Sequence, residues 1–193
     1  MNFKRVLAYF IDIMIVSFIS VLIFYLPFFK KDFDNYEKYQ QMEVDLIMHP
    51  NEKISEDELN TLEYNLNRAS VPVLIINIGM MTMYFGVMQY LLKGQTLGKK
   101  IMKLKVVSAT GDDINPNLFM LRSILITSFI PNLINILLLL LTNKETWFEI
   151  YSIISMIHST FMFIMIAFIV LRKDGRGLHD LIANTKVISL KKE

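Results

Sequence analysis

Apolar residues are gathered into four long runs that are separated by polar and charged segments. The runs cover residues 6–29, 71–92, 118–141 and 147–171. A bilayer core of about 30 Å requires roughly 20 apolar residues in a helix, and each run reaches that length. The pattern therefore predicts an all-α, polytopic membrane protein with about four transmembrane helices.

Two of the runs carry further signals. The first run is too long for the apolar part of a cleaved signal peptide and ends without a small-residue cleavage pattern, so we expect it to be retained. Pro131 lies inside the third run. A proline removes one helix hydrogen bond and clashes with the carbonyl four residues earlier, so we expect a kink in this span.

Charge is distributed unevenly between the loops. The 30–70 segment has five basic residues against ten acidic ones, whereas the 93–117 segment and the C-terminal tail are mainly basic. Short, positively charged loops stay in the cytoplasm. The sequence therefore predicts a multi-pass protein of the cell membrane with both termini and the 93–117 loop cytoplasmic and the 30–70 loop outside.

The 30–70 loop contains its own helix signals. Ser55 and Glu58 have the spacing of a capping box, and Leu59, Leu62 and Leu66 follow at helical intervals. A break is expected at residues 49–51. We interpret 30–70 as an extracytoplasmic helical-hairpin insertion.

Two segments on the predicted cytoplasmic side resemble strands. Residues 103–107 and 186–190 are rich in β-branched residues, and a Gly111-Asp112 turn signal follows the first. Because both segments leave the membrane at the same face, we predict that they pair as a small two-stranded unit.

Charged residues within or beside the spans are candidates for function. A charge at the centre of a membrane helix costs about 2.5–3.5 kcal/mol on insertion scales, so it requires a partner or a purpose. Arg122 is expected at a depth similar to that of Asp12, and we predict that they form an ion pair. Arg5 is then free to meet Asp180. These four residues are candidates for ion or proton binding, although the pair could instead serve only helix packing.

Uncharged polar residues in the spans are a second group, with structural and transport roles both open. They are Asn77, Asn132, Asn135 and His158. Asn77 and Asn135 are expected at similar depth and could bond across helices. His158 is a candidate proton relay, but such a histidine more often makes a structural hydrogen bond.

Several classes of function are disfavoured. The net charge of +2 gives no bulk signal for nucleic acid, the absence of cysteine excludes thiolate chemistry, and three histidines on separate segments argue against a metal site. The 94–100 segment fails as a phosphate-binding loop because its glycines are too close and Lys100 follows the lysine. We expect it to form a turn and a basic surface for anionic headgroups. No enzyme signature is present, so we predict a non-enzyme without a cofactor.

Three blocks of sequence carry a resemblance to a known family. The segments KRVLAYFID at 4–12, GQTLGKK at 94–100 and LHDLIANTKV at 178–187 resemble, in order, those of the RDD family of bacterial membrane proteins. The resemblance implies one RDD-like membrane domain over 1–193, in which Arg5, Asp12 and Asp180 are the name-giving arginine and aspartates. Arg122 falls where the family commonly has another arginine, whereas the long acidic 30–70 loop departs from the family pattern.

Two functions remain open. The first is a transporter, with monovalent cation/proton exchange at Asp12, which would need oligomerisation because four helices are few for a pathway. The second is a non-transporting accessory protein that regulates another membrane protein. The expected partners are the lipid bilayer, another copy or another membrane protein, and monovalent cations in the transport case.

Overall fold

The computed structural model describes residues 2–49, 55–111 and 115–190. Pro50 and Asn51 of the predicted break, Asp112 of the predicted turn and the last three residues lie outside this part of the chain. The helices are α1 (Asn2–Phe24), α2 (Lys30–Met48), α3 (Glu56–Ala69), α4 (Val71–Thr82), α5 (Gln89–Leu91), α6 (Leu97–Ile101), α7 (Pro116–Ile126), α8 (Phe129–Leu141), α9 (Lys144–Leu171) and α10 (Leu178–Ile182). The strands are β1 (Leu104–Ser108) and β2 (Thr185–Ser189).

The predicted spans correspond to long apolar helices. Among the described residues, α1, the continuous Val71–Leu91 rod and α9 are each long and apolar enough to cross a membrane. The α7–α8 pair makes a fourth if it is counted as one broken span. This confirms a polytopic helical membrane protein. α1 ends at Phe24, before a 3₁₀ turn at Pro27–Phe29, because the residue that precedes a proline is driven out of the helical region.

The third span is broken rather than gently kinked. α7 and α8 meet at an angle of 60°, and Ser128 between them has a left-handed φ of 55°. In a continuous helix the Pro131 ring would meet the carbonyl of Thr127. The predicted kink is therefore present, but it lies about one turn before the proline itself.

The described part of the 30–70 segment includes two helices that contact each other, α2 and α3, and we call this pair the hairpin. The capping box is confirmed: Ser55 Oγ accepts from the Glu58 amide at 3.2 Å, and the Glu58 carboxylate accepts from the Ser55 amide at 3.0 Å. Tyr64 of α3 packs edge-on against Trp147, and its hydroxyl donates to the Thr142 carbonyl at 2.8 Å. These contacts attach the hairpin to the α8–α9 junction.

The two predicted strands pair at the other end of the bundle. β1 and β2 are antiparallel, with Val106 opposite Val187. Both side chains are buried against Ala8 of α1 and Phe119 of α7, so the helices supply the core that an isolated two-stranded unit lacks. We call α6, β1, α10 and β2 together the sheet end.

Candidate functional site: two buried carboxylates at the sheet end

Asp12 lies in α1 where α6 crosses it, and its side chain is fully buried. One oxygen, Oδ1, accepts hydrogen bonds from the Tyr84 hydroxyl at 2.6 Å and from the Gly98 amide at 2.7 Å. The other, Oδ2, accepts from the Thr96 hydroxyl at 2.5 Å. Both oxygens of this buried carboxylate are therefore satisfied by hydrogen-bond donors.

The 94–100 segment is folded so that it meets Asp12. Thr96 caps α6 by accepting from the Lys99 amide, while its own hydroxyl proton goes to Asp12. Gly98 lets the two helices approach closely, because a Cβ there would lie 2.2 Å from the Ala8 carbonyl oxygen and 2.9 Å from the Asp12 carboxylate. The segment is thus a clamp on α1, which its sequence alone did not indicate.

Tyr84 reaches Asp12 from an irregular part of the second span. Residues Met83–Met88 form a π-helical segment in the Val71–Leu91 rod, a feature that often accompanies functional sites. The Tyr84 hydroxyl donates to Asp12 and accepts from the Leu97 amide at 3.0 Å. It therefore links the second span, α1 and α6 through one oxygen atom.

Lys99 is the cationic neighbour of Asp12. Its Nζ lies 3.9 Å from Asp12 Oδ2 and 3.2 Å from the Thr96 hydroxyl, and 5.3 Å from the centre of the Phe85 ring. The residue is only 7% exposed. Burial, reinforced by the nearby positive charge of Arg122 and only partly opposed by Asp12, lowers the Lys99 pKa to about 7. The expectation that 94–100 forms a basic surface is therefore wrong for Lys99, although Lys100 is exposed.

Asp180, in α10, is the second fully buried carboxylate. Arg122 Nε donates to its Oδ1 at 3.1 Å, and Arg5 Nη2 donates to its Oδ2. Thr185 and the Gly177 amide each add a hydrogen bond at 3.2 Å. Burial alone would raise the Asp180 pKa, but its cationic neighbours, Arg122 foremost, hold it well below its usual range.

These contacts test the two predicted ion pairs. The Arg5–Asp180 pair is confirmed. The Asp12–Arg122 pair is wrong, because Arg122 binds Asp180 and Asp12 has Lys99 as its cationic neighbour. Similar depth along two helices does not fix which faces of those helices meet, and Arg122 is turned towards α10.

Both carboxylates and most of their partners lie in the three blocks that carried the family resemblance, whereas Tyr84 and Arg122 lie outside them. Residues 2–184, nearly the whole chain, match the RDD family. The chain belongs to the RDD family. Searches of curated proteins and of solved structures give no match. In this RDD protein Arg5 and Asp12 of α1 and Asp180 of α10 lie in two networks where α1 meets the sheet end.

The uncharged polar residues of the spans lie away from this site. Asn135 accepts from the Trp147 indole at 3.0 Å, and among the described residues no hydrogen bond joins it to Asn77. His158 is 2.8 Å from the Ser128 hydroxyl at the break between α7 and α8, which matches a structural hydrogen bond. Asn77 and Asn132 are partly buried. None of the four joins the carboxylate networks as far as the described residues show.

Four contributors to the Asp12 network were not predicted as site residues: Tyr84, Thr96, Gly98 and Lys99. The sequence signal for Thr96, Gly98 and Lys99 was that the 94–100 segment follows a span directly and resembles a family block. Within the described residues, no group of three or more histidine, cysteine, aspartate or glutamate side chains is arranged to hold a metal ion.

Proposed function

We propose that this RDD protein is a non-enzymatic membrane transporter that exchanges a monovalent cation for a proton, with Asp12 as the cation ligand and Lys99 as the proton carrier. The observation that carries the proposal is the buried Asp12–Lys99 pair at 3.9 Å. Ionisable residues buried at membrane depth commonly mark ion pathways and proton relays.

The pair supports exchange because Asp12 can be balanced either by protonated Lys99 or by a bound cation, but not by both at once. With a pKa of about 7, Lys99 loses its proton near neutral pH. Asp12 then lacks its counter-charge, and a monovalent cation restores the balance. When Lys99 is protonated again, its ammonium group competes with that cation. One proton is thus exchanged for one cation without a change in the net charge of the site.

The immediate surroundings of Asp12 supply oxygen ligands. The Thr96 and Tyr84 hydroxyl oxygens lie within hydrogen-bond distance of the carboxylate. An alkali cation that replaces the bonds from these hydroxyls to Asp12 would be met by oxygens from α1, the π-helical segment and α6. Irregular helix geometry and helix ends of this kind are where transporters coordinate monovalent cations.

The proposal includes an orientation and a location. We place the protein in the cell membrane, with the sheet end and both termini in the cytoplasm and the α2–α3 hairpin outside, on the basis of the basic loops. Because the chain contains no cysteine, Glu56→Cys and Thr110→Cys can each be labelled from outside intact cells. Labelling at position 110 but not at position 56 would show the opposite orientation.

The decisive experiment is flux in proteoliposomes that contain the purified protein and a trapped pH indicator. A pulse of external sodium or potassium should move protons with the wild type and not with Asp12→Asn. Lys99→Met should abolish the coupling, and Lys100→Met, the exposed neighbouring lysine, should retain it. If the wild type, shown to be folded by size-exclusion chromatography, moves no protons in response to either cation, exchange is rejected.

A second function is favoured by a different observation. Three donors already satisfy both oxygens of Asp12, as expected if the carboxylate only holds α1, the π-helical segment and α6 together. The protein would then act as an accessory partner of another membrane protein, or as an oligomer without flux. This alternative predicts a folded wild type without transport and a partner that co-purifies at a fixed ratio.

A further inference from the structure

A cavity of about 230 Å³ lies between α1, the end of α7, α9 and the sheet end. Aliphatic side chains line most of it, chiefly Met162, Ile166 and Ile169 of α9 and Val6 of α1. Val6 and Ile166 are both more than half exposed and mark an opening between α1 and α9. In a membrane this opening faces lipid, and the volume is many times that needed for one water molecule.

One end of the cavity has the opposite character. Arg5, Arg122, Lys99 and His179 line it. Among the described residues, Arg122 Nη1 and His179 Nδ1 are buried without a hydrogen-bond partner. A buried donor or charge that lacks a partner is costly, so two such atoms beside one cavity indicate that a polar group belongs there.

The charges at this end do not balance. Arg5 and Arg122 bind Asp180, and Lys99 faces Asp12. With Lys99 protonated, three cations meet two carboxylates, an excess of one positive charge. Burial and the neighbouring Arg122 lower the His179 pKa to about 3, so the imidazole is neutral and adds no charge. While Lys99 is protonated, the group that would balance this end therefore carries a single negative charge.

From this geometry we propose that the cavity binds a single-chain anionic lipid, a long-chain carboxylate, with its alkyl chain along α9 and its carboxylate against Arg122 and His179. The volume suits one alkyl chain better than two. One carboxylate supplies the missing charge and accepts a hydrogen bond from Arg122 Nη1. His179, whose Nε2 lies 3.5 Å from Asp180 Oδ1, lines the same end of the cavity beside it. The lateral opening admits the ligand directly from the bilayer.

The test uses the full chain in phosphatidylcholine liposomes and a fatty acid that carries a photoreactive diazirine in its alkyl chain. After irradiation, mass spectrometry locates the label. We expect it within residues 162–169 of α9 and near Val6 of α1. The matching alcohol, which has the same chain without the charge, should label these positions at least tenfold less. Equal labelling by the alcohol would show a passive lipid crevice and overturn the proposal.

Two variants separate the chain from the head group. Ile166→Trp should fill the opening and reduce labelling several-fold without touching the charged end. The matched control is Ile164→Trp, two residues away on the same helix and outside the cavity lining, which should label normally. Arg122→Lys keeps the charge but has one nitrogen in place of Nε and Nη1, so it cannot hold Asp180 and the ligand with separate nitrogens, and it should also reduce labelling. Undiminished labelling in Ile166→Trp would overturn the proposal even if Arg122→Lys fails to fold.

Competition identifies the class of anion. Excess inorganic phosphate should not displace the fatty acid, because it has no chain to bury. Displacement by phosphate would show a free-anion site, and stronger labelling by a photoreactive phosphatidylglycerol would show a phospholipid site; either result overturns the single-chain assignment. This experiment measures binding alone. Its result is therefore independent of whether the flux experiment shows transport.

Discussion

Asp180 and Asp12 are both fully buried at the sheet end, but their charges are balanced by different means. Asp180 is held by two guanidinium groups, from Arg5 and Arg122, which keep their charge at any physiological pH. Asp12 is held by two hydroxyls, one amide and a lysine at 3.9 Å. Only the second network contains a cation that can lose its proton near neutral pH.

This difference assigns the networks different roles. The Asp180 network ties α1, α7 and α10 together at their junction, and none of its charges can change without breaking a buried pair. The Asp12 network has hydroxyl donors that can rotate and an ammonium group that can become neutral. We therefore regard Asp180 as the structural anchor of the sheet end and Asp12 as the group whose charge balance can change.

The largest effect is expected from Asp180→Asn. It leaves Arg5 and Arg122 buried without their counter-charge, and breaking such a pair costs about 3–5 kcal/mol. Thermal unfolding in detergent should show a strongly lowered midpoint and a reduced folded yield. The control is Asp174→Asn, whose side chain is 42% exposed beside Arg172 and should leave the midpoint nearly unchanged. Equal loss in both variants would contradict the anchor role.

A smaller loss is expected from Gly98→Ala, which tests the clamp on Asp12. The new methyl group would lie 2.2 Å from the Ala8 carbonyl oxygen, so α6 must move away from α1. Overpacking of this kind costs about 1–3 kcal/mol. Gly79→Ala is the matched control because nothing lies within 4 Å of a Cβ there, and removing a helix-interior glycine stabilises by roughly 0.5–1 kcal/mol. Opposite signs are expected in thermal unfolding.

Features that depend on a local sequence pattern could be predicted, whereas contacts between residues far apart in the sequence mostly could not. Long apolar runs predicted the spans, a capping box with helical spacing predicted α3, and β-like segments predicted the two strands, because each of these signals is local. The Arg5–Asp180 pair was predicted from the shared membrane face of two chain ends. The partner of Arg122 was predicted wrongly, because depth along a helix says nothing about its rotation. The contacts of Thr96 and Gly98 with Asp12 arise from a short segment that folds back on α1, which no periodicity encodes.

A pH-dependent difference should follow from Lys99. Its pKa is about 7 in the folded protein and 10.5 as the ordinary value, so between these values the unfolded chain binds more protons. Folding stability should therefore rise with pH from about 7, by at most about 1.4 kcal/mol per pH unit from this group. Lys99→Met should lose this rise in unfolding midpoints measured between pH 7 and 9, and Lys100→Met should keep it. If the midpoints of the wild type, Lys99→Met and Lys100→Met changed with pH in parallel, Lys99 would not titrate in this range and the Asp12 network would not be titratable.

The smallest effect is expected at the hairpin, where a charge pair lies in the open. Asp57 is 2.5 Å from Lys144, but its side chain is 81% exposed. Exposed pairs contribute about 0.2–1 kcal/mol, because water already solvates both groups. The hairpin is held mainly by Tyr64 against Trp147, which are 7% and 0% exposed. Asp57→Asn should therefore lower the unfolding midpoint only slightly, and Tyr64→Ala should lower it far more by removing the aromatic contact and the bond to Thr142. If Asp57→Asn lowered the unfolding midpoint as much as Asp180→Asn, burial would not explain why the carboxylates of the sheet end contribute strongly to stability. The contrast between the fixed and the titratable network would then lack a physical basis.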